Sequence, residues 1–141
     1  KFPNISGGAT ENALLAAFKA KRKTILENCA IEPEIKDLVL FLNKLGGKIE
    51  ISKRKITINE CKKINAKIFH KVIFDRIELG TYMIAGALIG KKIDIKRIDP
   101  SIVKNEIDVL KKMGVKIKKT QKSITIEKNR KLKRNPIENK W

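Results

Sequence analysis

Residues 4–10, Asn-Ile-Ser-Gly-Gly-Ala-Thr, gather a hydroxyl, two glycines and the start of an apolar run in one short stretch. Those are the parts of a phosphate cradle, because backbone N–H groups at a helix entrance stabilise phosphate oxygens. Gly8 would let the backbone approach a ligand closely, and Thr10 reads as the cap of the helix that follows. A plain capping turn uses the same residues. Two glycines and a threonine do not by themselves choose between the two.

A second stretch, Asp75-Arg76-Ile77-Glu78, sets alternating charges at the head of another apolar run, where acids complement a helix dipole. Arg76 there reads either as an anion contact or as half of a surface ion pair of little energetic weight. Glu32 and Glu34 flank Pro33 and belong either to the same cluster or to a solvated helix start. Cys29 and Cys61 form no Cys-x-x-Cys pair, and His70 has no neighbouring cysteine, so no metal site is expected. The two thiols read as ordinary packing groups in a reducing cytoplasm.

The elements that position these residues come from an internal repeat with a period of about 68 residues. Residues 24–58 lie over residues 92–126, with Leu42 on Leu110, Gly46 on Gly114, Ile49 on Ile117, and Ile56 and Ile58 on Ile124 and Ile126. Ile35, Leu38, Val39, Leu42 and Leu45 form one helical stripe, and Val103, Ile107, Leu110 and Met113 form its counterpart. Pro33 and Pro100 mark the helix starts, and Gly46 and Gly114 mark the stops. After each glycine, Lys-Ile-Glu-Ile-Ser and its partner strands alternate apolar and polar, as half-buried strands do. A further helix precedes each copy, and its apolar composition on nearly all sides predicts burial between a sheet and other helices. Each copy therefore reads helix, strand, helix, strand, strand. About 55 residues hardly bury a hydrophobic face alone, so the copies are expected to pack together in an α/β fold.

Composition bounds the partners. Apolar residues at 42% and charged residues at 34% describe a globular chain, and no apolar run reaches the roughly 18 residues that span a bilayer. No signal peptide is visible, and a start at Lys1 reads as a piece cut from a longer polypeptide. The formal net charge is +18, yet of 33 basic residues only Arg22, Arg54, Arg76, Arg97, Arg130 and Arg134 are arginines. The lysines are spread along every segment rather than gathered in a stripe, which leaves nucleic acid as a partner that is possible but not favoured. Phe18, Phe41 and Tyr82 fall in apolar helices, where core packing accounts for them better than base stacking does.

The blocks Phe2–Ala17, Glu27–Ile49 and Asp75–Leu88 resemble the UDP-N-acetylglucosamine 1-carboxyvinyltransferases, bacterial enolpyruvyl transferases of the 5-enolpyruvylshikimate-3-phosphate synthase superfamily. The resemblance runs from Phe2 to about Lys128. It implies an inside-out α/β barrel of repeated βαβαββ units, with two copies here and the first incomplete. Residues 1–72 would be the first unit with the nucleotide-sugar turn, 73–128 the second, and 129–141 a basic tail without order. The family adds the 3′-hydroxyl of UDP-N-acetylglucosamine to C2 of phosphoenolpyruvate and then expels phosphate, in the cytoplasm, during peptidoglycan synthesis. No cofactor is implied.

By the same resemblance, Asn4, Ile5, Ser6 and Gly7, with Gly8, cradle the diphosphate and uridine end of the substrate. Arg76 faces the substrate cleft, with Asp75, Glu32 and Glu34 as cleft support. The family's catalytic groups (a loop cysteine, an N-terminal lysine, a downstream aspartate and an arginine) match no position in this chain. This sequence also departs from the pattern, with Asn4 where the family usually has a basic residue and Gly7 where it has valine. Losing a cation beside a diphosphate costs about 1.5–3 kcal/mol of charge-assisted hydrogen bonding. The alternative class is a basic α/β module that binds nucleic acid.

Overall fold

Each copy of the repeat folds around its own three-stranded sheet. The structure, a computed structural model, describes residues 1–89 and 92–127, so the expected tail 129–141 lies outside the described residues. The chain divides into two compact units, the first Lys1–Ile73 and the second starting at Phe74. The first unit contains α1 (Gly7–Phe18), β1 (Thr24–Glu27), α2 (Pro33–Lys44), β2 (Lys48–Ser52) and β3 (Lys55–Asn59). The second contains α3 (Arg76–Leu88), β4 (Lys92–Lys96), a 3-10 turn (Pro100–Val103) leading into α4 (Lys104–Lys112), β5 (Lys116–Lys119) and β6 (Ser123–Glu127).

In the first sheet β3 lies between β1 and β2 and runs antiparallel to both. The edge strands are therefore parallel and are joined through the α2 crossover. The second sheet repeats this, with β6 between β4 and β5. Alternation sends isoleucines to one face: Ile56 sits opposite Leu26 and Ile51, and Ile124 opposite Ile95 and Lys119. Leu14, Phe18, Ile35, Val39 and Leu42 cover that face in the first unit, and Leu79, Met83, Val103, Ile107 and Leu110 cover it in the second.

Both glycine stops hold. Gly46 (φ 109°) and Gly114 (φ 90°) take the left-handed conformation after their helices. Gly46 N–H donates to Asn43 and Gly47 N–H to Leu42, while Gly114 donates to Lys111 and Val115 to Leu110, the paired bonds that close a helix end.

Two expectations change. Thr24 pairs with Ile58 while Ile93 pairs with Ile126, so Thr24 matches Ile93 and not Lys92. The first strand is thus shifted by one residue against the ungapped repeat, because the loop Asn28–Glu32 is longer than its counterpart Arg97–Asp99. The shift keeps Leu26 and Ile95 on the inner face, where a one-residue slip would turn them out. Asn28 (φ 61°) and Arg97 (φ 62°) then occupy the same left-handed position after their strands. Second, α1 and α3 are not buried all round: Leu15, Ile77, Tyr82, Ile84 and Leu88 are each more than half exposed. Each helix packs one face on its own sheet, while the side chains just named on the other face stay exposed. Tyr82 is accordingly a surface residue rather than the core residue expected of it.

Candidate substrate-binding site

The run into α1 is held at both of its ends. Phe2 N–H donates to the Glu27 carbonyl at 3.0 Å, and Asn28 Nδ2 donates to the Phe2 carbonyl at 3.0 Å, which fixes the chain beside the end of β1. Four residues on, Ser6 is extended (φ −144°, ψ 126°) and its Oγ accepts from Ala9 N–H at 3.2 Å. Ser6, not Thr10, is therefore the N-cap, and the helix starts one turn earlier than the position of Thr10 suggested. The N–H groups of Gly7 and Gly8 stand in the first helical turn, where no helical carbonyl reaches them. A Cβ added at either glycine would meet no atom within 4 Å, so packing does not require glycine at these two positions. Asn4 and Ile5 are exposed on the approach to this turn.

Thr10 does structural work instead. It is completely buried, its hydroxyl donates to the Ser6 carbonyl at 2.7 Å, and it accepts from Ala30 N–H at 3.0 Å. That ties the first turn of α1 to the loop before α2. The same loop is gripped from the β2–β3 turn: Cys29 N–H donates to Arg54 O at 2.9 Å, and Arg54 Nη1 donates to Cys29 O at 3.1 Å. Burial pushes the Cys29 thiol above its ordinary value, against an opposing hydrogen bond from the Ile56 backbone. A buried thiol held neutral is a packing group, not a nucleophile. Cys61 is partly exposed, packs against the first core and donates to the Lys63 carbonyl at 3.5 Å.

Glu32 occupies the N-cap position of α2 without making a side-chain cap bond, and its buried Oε2 has no hydrogen-bond partner among the described residues. Glu34 sits in the first turn, where its charge suits the helix dipole. Asp75 caps α3: its Oδ1 accepts from Ile77 N–H at 2.7 Å and from Glu78 N–H at 3.2 Å. Half-buried Arg76 is the first residue of that helix. Asn4–Gly8, Glu32 and Glu34 thus belong to the first unit, and Asp75 and Arg76 to the second.

Residues that the sequence did not single out carry much of the local order. Asn43 Oδ1 accepts from Ile49 N–H and its Nδ2 donates to Ile49 O, both at 2.9 Å, which fastens the end of α2 to β2. Asp37 and His70, distant in sequence, meet at 3.1 Å. No spacing signal announces either pair. No group of three or more His, Cys, Asp or Glu among the described residues could hold a metal ion, and no helix there is long and apolar enough to cross a membrane.

The model of the EPSP synthase (3-phosphoshikimate 1-carboxyvinyltransferase) family matches residues 1–140. A UDP-N-acetylglucosamine 1-carboxyvinyltransferase of Pelagibacter ubique is 48% identical over 134 residues, covering 94% of this chain and 32% of that protein. The enzyme of the same name from Endomicrobium trichonymphae is 44% identical over 123 residues, covering 86% of this chain and 29% of its own length. Among solved structures, the enolpyruvyl transferase NikO from Streptomyces tendae superposes with a TM-score of 0.75 at 25% identity, covering 88% of this chain and 30% of that one. EPSP synthase from Acinetobacter baumannii shares the fold at a TM-score of 0.60 and 18% identity, over 89% of this chain and 30% of its own. The chain spans about a third of the length of these relatives. The repeated sheet-and-helix units and the sequence match agree: this chain belongs to the EPSP synthase (3-phosphoshikimate 1-carboxyvinyltransferase) family.

Proposed function

We propose that this chain is part of a cytoplasmic UDP-N-acetylglucosamine 1-carboxyvinyltransferase of peptidoglycan synthesis, and that it supplies part of the nucleotide-sugar site and none of the catalytic groups. The observation that carries the reading is the start of α1. Ser6 caps the helix, and Gly7 and Gly8 supply first-turn N–H groups that no helical carbonyl reaches. Backbone donors at a helix entrance suit a diphosphate without a side-chain cation. Asn4 and Ile5 flank the turn, and Arg76 contributes a guanidinium to substrate binding from the second unit. Glu32, Glu34 and Asp75 support the binding surfaces of their own units. Phosphoenolpyruvate is bound and activated by groups that match no residue here.

The helices in this reading face the inside of an α/β barrel. Apolar side chains on the uncovered sides of α1 and α3 support it, as does a groove of about 460 Å³ lined by Ile84, Leu88, Val109 and Met113. Surfaces of this kind are normally covered by further protein.

The test is an amide chemical-shift titration with UDP-N-acetylglucosamine. Saturable shifts centred on Ser6–Ala9 are expected, and uridine alone should move fewer of them. Shifts confined to lysine-rich strands, or none at all, would remove the turn from the site.

A further inference from the structure

Residues 60–74, which lead from β3 to α3, form neither helix nor strand. A connector of that length without regular structure is uncommon in a small domain. Few of its apolar side chains hold it down: Cys61 packs on the first core and Phe74 on the second, but Phe69 is 85% exposed and Val72 71% exposed. Polar contacts to the C-terminal end of α2 hold its middle. Asn65 N–H donates to Leu45 O at 2.8 Å, Asn65 Nδ2 to Lys44 O at 3.2 Å, and Lys44 Nζ to Phe69 O at 3.2 Å. Its far end rests on one carboxylate. Asp37 Oδ1 lies 3.1 Å from His70 Nε2, and Asp37 Oδ2 accepts from Ile73 N–H at 3.4 Å.

Both partners are largely buried, with side chains 7% exposed for His70 and 12% for Asp37. The His70 ring packs edge-on against Phe41, with centroids 5.5 Å apart and planes at 65°. Its Nδ1 is buried and has no hydrogen-bond partner among the described residues. A hydrogen on Nδ1 would be a buried donor without an acceptor, which is costly. In the neutral ring the proton therefore sits on Nε2 and is donated to Asp37.

We propose that Asp37 and His70 form the latch of a releasable strap. Closed, the latch holds the segment that ends two residues before Asp75 against α2. Open, it frees that segment, while the β1–β3 ladder, which shares no hydrogen bond with the His70–Ile73 stretch, stays intact. A polar clasp suits release, because both groups regain water when the strap lifts, whereas a strap buried through Phe69 and Val72 would lose apolar burial.

The experiment is hydrogen exchange on the 141-residue chain, comparing wild type with Asp37→Asn, His70→Phe and the double variant. Amides of residues 69–73 should exchange about tenfold faster in each single variant, which corresponds to about 1.4 kcal/mol of lost closure. Amides of residues 24–27 and 55–59 should keep their wild-type rates, and the double variant should exchange no faster than either single one. Unchanged exchange at 69–73, or a parallel rise throughout the sheet, overturns the latch. The chain has a single histidine, so its ring signals are unambiguous. A long-range proton–nitrogen spectrum of the neutral ring should show the Nε2–H tautomer in wild type and a mixture in Asp37→Asn. An Nδ1–H tautomer in wild type overturns the proposal even if the variants unfold.

Discussion

The Thr10 hydroxyl stands between two turns of chain, accepting from Ala30 N–H at 3.0 Å while donating to Ser6 O at 2.7 Å. One buried side chain thus fixes the glycine turn relative to the loop that leads into α2. Replacing it by valine keeps the shape and strands a buried N–H. Thr10→Val should destabilise the first unit by about 1–3 kcal/mol in urea unfolding, and Thr10→Ser should cost less.

Glycine is required at the end of α2 and not at the start of α1. At Gly46 (φ 109°) a Cβ would be strained and would overlap the Lys63 carbonyl oxygen. Gly46→Ala should cost more than the roughly 1–2 kcal/mol of left-handed strain alone. Gly7→Ala, facing open space, should change stability by less than about 0.5 kcal/mol. Thermal midpoints of the two variants make the comparison.

Acid should weaken the second unit. The Ser101 backbone N–H holds the Asp99 carboxyl below its ordinary value of 3.8, and the Thr125 hydroxyl does the same for Asp94, helped by Lys92. With these values depressed by folding, the unfolded chain binds more protons in acid. Their stabilisation is present above the ordinary carboxylate value and is lost as pH falls through the depressed ones. Both carboxylates are exposed, so salt should shrink the effect. Circular dichroism during acid titration should show a shallower loss for Asp99→Asn than for wild type.

Turnover should be absent. Groups that act as a unit leave little chemistry when several are missing. With phosphoenolpyruvate and UDP-N-acetylglucosamine, the 141-residue chain is expected to release no orthophosphate above the rate without protein. A coupled phosphate assay checks it.

Much of the fold was legible because each element carried its own punctuation. Gly46 and Gly114 stop their helices, and isoleucine alternation set β3 and β6 on the correct face. The first strand of the repeat was misjudged by one residue, because register follows loop length, which differs between Asn28–Glu32 and Arg97–Asp99. At the candidate site, Ser6 and Thr10 are both good caps by type, and only backbone geometry separates them. The Asn43–Ile49 bonds broke the repeat, since Lys111 stands at the matching place, and that departure was the one signal on offer. The exposed sides of α1 and α3 were invisible to composition, which reports that a residue is apolar but not what lies opposite it.

In the proposed site, the uncharged turn at residues 4–8 binds a diphosphate through backbone donors. Calorimetric titration of UDP-N-acetylglucosamine and of a short RNA into wild type, Asn4→Lys and Arg76→Ala tests it most directly. Weak, saturable sugar-nucleotide binding to wild type is expected, with about tenfold or more tighter binding to Asn4→Lys from a charge-assisted contact and weaker binding to Arg76→Ala. Absence of sugar-nucleotide binding in all three, with RNA bound alike by each and falling steeply with salt, would contradict it.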